Sequence, residues 1–139
     1  MAKAIAILVA RLIFAWVFAQ AAAFKFLIVG MDATAGEIAA AGFANAKLLA
    51  WIAALFEIAL AIAFLTGLFF SDAAIMAAAY VLFLGFAFHG PDRWGGNMME
   101  FGFFVDHFTF TAGLLFAAVH GPGDNLVLRL GRDRKIRRA

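Results

Sequence analysis

Few residues in this chain can do chemistry, and those that can sit where a polar group is costly. Glu57 is the only ionisable residue in the interior of the apolar stretch that runs from Lys47 to Phe70, and Arg11, Gln20 and Lys25 are the only interruptions of the stretch from Ala4 to Val29. A charge near the centre of a bilayer costs roughly 2.5–3.5 kcal/mol on translocon scales, so each such residue marks a site of function or of pairing. Glu57 lies about ten residues from the outward end of its stretch, roughly 15 Å at the helical rise, which places it near mid-membrane. There it must be either protonated or paired.

Spacing groups these residues further. Arg11 and Lys25 are fourteen residues apart, which returns them to nearly the same face of one helix. They either look inward, with at least one pairing with Glu57, or snorkel to headgroups. Glu100 and His107, seven apart, share a helix face, while Asp106 points about 100° away from His107. With His89 at the end of the preceding apolar run, and Lys25 and Glu57 at similar depth, these side chains predict one polar pocket in the outward half of a helical bundle.

Several chemistries compete for such a pocket. A di-iron carboxylate centre needs Glu-x-x-His on facing helices, a spacing this sequence lacks, and no metal is expected. His89 and His107 offer a pair of haem ligands from neighbouring helices. A quinone asks for less: a donor or two such as His107 or His89, a carboxylate to pass protons, and aromatic walls of the kind Phe101, Phe103, Phe104, Phe108 and Trp94 supply. The bland reading is that the polar set locks helices in register, and that the eighteen phenylalanines contact lipid and each other.

The elements that must position these residues follow from composition. The chain is 66% hydrophobic and 14% charged, against roughly 45–50% and 25% for a soluble domain. Too few polar residues remain to clothe a water-soluble core. Four apolar segments are long enough to cross hydrocarbon, about 4–29, 47–70, 73–88 and 98–119. The segment 31–46 is small and polar, a connecting loop with room for a short interfacial helix. Ser71 and Asp72 predict a tight connection, with Asp72 capping the third helix. His89 to Asn97 is dense in turn residues, and His120 to Gly123 releases the chain from the fourth helix. The expected fold is all-α: an integral membrane, up-and-down four-helix bundle over 1–123, followed by a basic amphipathic tail over 124–139.

Lys3 and the tail residues Arg129, Arg132, Arg134, Lys135, Arg137 and Arg138 place both termini on the cytoplasmic side of a bacterial-type inner membrane. Arg11 argues against reading the first segment as a cleaved leader. The net charge of +2 comes mostly from that tail, so nucleic-acid binding is a poor reading. Lipid anchoring or docking of a cytoplasmic partner suits the tail better. With no cysteine in the chain, thiolate chemistry and cysteine-ligated centres are excluded.

Read in order, Arg11-Leu12-Ile13-Phe14 with Phe24-Lys25-Phe26, Phe56-Glu57-Ile58 with Leu65-Thr66-Gly67-Leu68, His89 at the end of the third span, Met99-Glu100-Phe101, and His120-Gly121-Pro122-Gly123-Asp124 resemble the DoxX-like membrane proteins. The resemblance covers nearly the whole chain. It departs at Asp124-Asn125-Leu126, where the family often has serine-leucine-aspartate, and Asp106-His107 is unusual for it. It implies a four-helix bundle that in some members is a subunit of a thiosulfate:quinone oxidoreductase and in others a membrane partner of thiol-handling or superoxide-handling proteins.

The expectation is therefore a membrane subunit of a quinone-linked oxidoreductase system. Glu57 and His107 would act catalytically, and His89, Glu100, Lys25 and Arg11 would bind the cofactor, a quinone. Two alternatives stand beside it: a non-catalytic scaffold subunit of a larger membrane complex, and a small proton-coupled or anion transporter.

Overall fold

A computed structural model describes residues 1–128. The basic residues of the expected tail, from Arg129 onward, lie outside the described residues. Within them the chain forms α1 (Ala2–Ala23), which continues into a π-helical turn (Phe24–Val29), then α2 (Met31–Ala40), α3 (Ala46–Thr66), α4 (Phe70–His89), a 3₁₀ turn (Pro91–Arg93) and α5 (Met98–His120). Four of these helical segments are long and apolar enough to span a membrane. α2 is the short helix for which the connecting segment 31–46 had room, and it packs on α3 and on the π turn.

Local chemistry sets the ends. Asn97 caps α5 by accepting from the Met99 N–H at 3.1 Å. Gly67, at φ 76°, closes α3 in the left-handed conformation that glycine adopts freely. The turn between α3 and α4 is thus Gly67 to Phe69, earlier than the Ser71–Asp72 connection expected from sequence. Hydropathy cannot separate the end of one apolar helix from the start of the next, and Phe70 belongs to α4. Asp72 falls in that helix's first turn, where it complements the dipole without bonding a free N–H.

Consecutive spans alternate in direction. The start of α1 and the exit from α5 lie at one end of the bundle, where Gly123 sits against Ile7, and α2 lies at the other. α1 packs on α3, and α4 on both α3 and α5. Alanines line the contacts: Ala50, Ala54, Ala74 and Ala77 are fully buried. In lipid, where exposed leucine is no worse solvated than buried leucine, such small residues hold helices together by letting backbones approach. Gly85 serves the same end between α4 and α5, since a Cβ there would stand 2.8 Å from that of His107. Beside the alanine seams, Phe14, Phe18, Phe64 and Phe110 meet across α1, α3 and α5 with ring centroids 5.4–5.8 Å apart.

Candidate functional site

Midway along α3, Glu57 is 2% exposed. Both of its oxygens accept from Lys25 Nζ at 2.8 Å, and Oε1 also accepts from the Tyr80 hydroxyl at 2.9 Å. Three segments meet there, since Lys25 comes from the π turn, Glu57 from α3 and Tyr80 from α4. The wider π turn interrupts the regular ladder where Lys25 leaves it, the kind of irregularity that is frequent at functional positions. Of the two alternatives for Glu57, the geometry realises pairing: one carboxylate, one ammonium and one phenol form a compact set that a hydrocarbon interior tolerates.

A second set lies toward the α2 end. His89 Nδ1 is 2.7 Å from Glu100 Oε2, His107 Nδ1 is 2.7 Å from the Phe103 carbonyl, and the two imidazoles stand 5.2 Å apart with ring planes at 41°. Trp94 Nε1 donates to the His89 carbonyl at 3.0 Å, fixing the end of α4. Rings in such close tilted contact leave no slot for a macrocycle between them, so the pair does not suit haem. Among the described residues, no three His, Cys, Asp or Glu side chains gather in a metal-holding group.

The two sets open on one cavity of about 700 Å³. Lys25, Tyr80, His89, Glu100 and His107 reach it, along with Thr34 and Glu37 from α2 and Arg93 from the turn after α4. Ile38, Ile52, Phe83, Leu84 and Phe88 contribute to its apolar wall. The aromatics expected from sequence lie elsewhere. Phe103 packs against His89, while Trp94, Phe101, Phe104 and Phe108 join Phe86 in an edge-to-face cluster beside the cavity. Asp106 is exposed on α5.

Of the six site residues expected from sequence, four line the cavity: Lys25, His89, Glu100 and His107. Glu57 stands behind the wall, bonded to two of the residues that face the cavity. Arg11 does not join them. It faces inward and is 1% exposed, but its guanidinium donates to the carbonyls of Pro122 at 3.1 Å, Asn125 at 2.9 Å, Leu126 at 2.7 Å and Leu65 at 3.4 Å. Its partner is the backbone where the chain leaves α5, at the opposite end of the bundle from the cavity, so a part in holding a ligand there is ruled out by distance.

Tyr80, Thr34, Glu37 and Arg93 complete the polar lining and are not among the residues expected from sequence. Tyr80 carries a signal: it is the only tyrosine in the chain and lies inside a span, where its hydroxyl needs a partner. Thr34, Glu37 and Arg93 sit in segments that read as connections, which patterning alone does not aim at a pocket.

A family model, described as DoxX, matches residues 6–90, more than half of the chain. The match contains Arg11, Lys25, Glu57, Tyr80 and His89 and stops short of α5. No curated protein matches the chain, and no solved structure does.

Proposed function

We propose, for a chain that belongs to the DoxX family, the role of membrane subunit in a quinone-linked oxidoreductase system, with the quinone ring held in the cavity between α2 and the ends of α4 and α5. The observation that carries this reading is the convergence of Tyr80, His89 and His107 on an apolar-walled cavity of about 700 Å³ within a membrane-spanning bundle. Binding sites for small organic molecules typically enclose about 300–1,000 Å³, with apolar walls and a few placed polar groups. The residues present fit a ring with polar substituents: Phe83 and Phe88 offer faces to pack on, and the phenol and imidazoles offer bonds at its edge.

The quinone, when bound, supplies the redox chemistry; the chain supplies place and protons. Glu57 acts through others in this reading, holding Tyr80 and Lys25 at the deep wall. His89, backed by Glu100, and His107 are placed to pass protons at the ring's edge, the task to which imidazoles are suited. Electrons come from a protein partner, and sulfur compounds or thiols are the substrates toward which the family resemblance points. Both termini are placed on the cytoplasmic side of the inner membrane, on the strength of Lys3 and the basic tail.

The test is purification from native membranes in mild detergent, followed by organic extraction and quantification of quinone. Near-stoichiometric quinone, lost in His107→Ala, supports the site. A quinone-free protein that carries a large membrane partner supports the scaffold alternative instead.

A further inference from the structure

We infer that the cavity selects the reduced, hydroxylated ring, a quinol, over the carbonyl-bearing quinone. This rests on the quinone-site reading above and sharpens it. Hydrogen-bond capacity distinguishes the two forms. A quinone's oxygens can only accept, so a site built for it must present donors. A quinol's hydroxyls donate, so a site built for it must present acceptors.

The donors around this cavity are nearly all committed within the protein. Lys25 has three N–H bonds: two meet Glu57 Oε1 and Oε2 at 2.8 Å, and Nζ also lies 3.4 Å from the Ala21 carbonyl. The Tyr80 hydroxyl donates to Glu57 at 2.9 Å, and the Thr34 hydroxyl donates to the Gly30 carbonyl at 3.0 Å. His107 Nδ1 faces the Phe103 carbonyl at 2.7 Å. A carbonyl cannot donate, so the imidazole donates through Nδ1, and in the neutral tautomer that this bond selects Nε2 is the acceptor. His89 Nδ1 faces Glu100 at 2.7 Å. Glu100 lies in the first turn of α5, where unbonded N–H groups favour a carboxylate, so His89 also donates through Nδ1, and its neutral tautomer offers Nε2 as an acceptor.

What remains for a ligand is acceptors: the Tyr80 and Thr34 oxygens, Nε2 of His89 and of His107, and the carboxylates of Glu37 and Glu100. Among the described residues, Arg93 alone of the polar side chains lining the cavity keeps its donors uncommitted. It is exposed, in the turn beyond α4, past His89, which stands roughly 14 Å along α4 from Tyr80 at the helical rise, at the rim and away from the deep wall. A ring whose oxygens reach that wall therefore bonds fully only when they carry hydrogen. A quinone there would face acceptors with acceptors, the mismatch by which sites reject an analogue that lacks a required O–H.

The measurement is isothermal titration of the full-length protein, delipidated of endogenous quinone and reconstituted in nanodiscs. The ligands are a short-chain benzoquinone and, under argon, its dithionite-reduced quinol. The expected result is a quinol affinity at least about tenfold above that of the quinone, the equivalent of one well-made bond against one left unpaired. Tyr80→Phe and the milder Thr34→Val should each lower quinol affinity by about three- to tenfold and narrow the ratio of quinol to quinone affinity accordingly. Equal affinities, or a preference for the quinone, overturn this inference and leave the quinone site standing. Binding of neither form overturns both. A quinol preference that survives both substitutions overturns the assignment to these acceptors.

Discussion

Lys25 Nζ lies 2.8 Å from each oxygen of Glu57, so an ammonium from the π turn after α1 bridges a carboxylate on α3. The side chains are 20% and 3% exposed respectively, which makes the carboxylate the more deeply buried partner. Removing the cation should therefore be costly, because the nearly buried carboxylate must then stand unpaired or take up a proton. Lys25→Met is expected to destabilise the bundle by about 3–5 kcal/mol. The double change Lys25→Met with Glu57→Leu should recover much of that loss, since it buries no charge at all. Unfolding of both variants in mixed micelles, scored against the parent protein, checks this. Equal losses in the single and double variants would show that the pair's charge is not what sets the cost.

Arg11 makes a different prediction because its partners are carbonyls. The guanidinium spreads bonds over Pro122, Asn125, Leu126 and Leu65, and close by the Leu128 N–H donates to the Thr66 carbonyl at 2.9 Å. One planar fork thus ties the exit from α5 to the end of α3. Arg11→Lys keeps the charge but replaces the fork with a single ammonium that cannot span four acceptors. Each bond to a charged donor contributes about 1.5–3 kcal/mol, so the conservative change should loosen the segment after Gly121 while the bundle stays folded. Hydrogen exchange at the Leu128 amide, at least about tenfold faster in the variant, is the expected signature. Protection equal to that of the parent would mean that the exit segment holds its place without the guanidinium. Quinol affinity should not change, because the cavity lies at the other end.

How far these features can be read from sequence depends on how far apart their partners lie. The four spans are legible because hydropathy is a local property, and the Lys25–Glu57 pair is legible because a buried carboxylate creates a demand that few residues can meet. Arg11 creates the same demand, but it is answered by distant main-chain carbonyls, three of them more than a hundred residues away, which have no side-chain signature. The aromatic walls fail for another reason. Phe101, Phe103, Phe104 and Phe108 share a helix with His107, but α5 approaches α4 most closely where Gly85 faces His107, and none of the four lines the cavity. Phe83 and Phe88 take their place because they leave α4 on the cavity side. α2 contributes Thr34 and Glu37 from a stretch too short and too polar to read as part of the bundle.

The Gly85 contact can be tested directly. A methyl there would stand 2.8 Å from His107 Cβ and 3.2 Å from its Cγ, so α5 must shift or rotate to admit it. Overpacking of this kind costs about 1–3 kcal/mol. Because the moved residue is His107, Gly85→Ala should also weaken ligand binding in the cavity by at least about tenfold, the equivalent of one lost bond. Gly102→Ala is the control: it lies on the same helix as His107, and a Cβ there meets nothing within 4 Å. It should leave binding unchanged and gain up to about 1 kcal/mol from helix propensity. Thermal unfolding and ligand titration of both variants separate the two effects. Parental binding in Gly85→Ala would remove the helix contact as the device that aims His107.

Glu100→Gln tests the tautomer argument without removing a ring or emptying a space. The carboxylate at 2.7 Å from His89 Nδ1 accepts and cannot donate, so it holds a proton on Nδ1 and leaves Nε2 as the acceptor of the neutral ring. An amide of the same shape can donate through its nitrogen. His89 is then free to accept at Nδ1 and to carry its proton on Nε2, which turns one acceptor in the cavity into a donor. A quinone oxygen gains a partner by that exchange and a quinol hydroxyl loses one. The ratio of quinol to quinone affinity should therefore fall by about three- to tenfold in Glu100→Gln, chiefly through tighter quinone binding, on the scale of one neutral hydrogen bond. Nitrogen-15 shifts of the His89 ring report the tautomer independently of any ligand. A proton that moves to Nε2 with no change in the affinity ratio would show that His89 does not contact the ring; a proton that stays on Nδ1 with an unchanged ratio would show that the carboxylate is not what sets the tautomer.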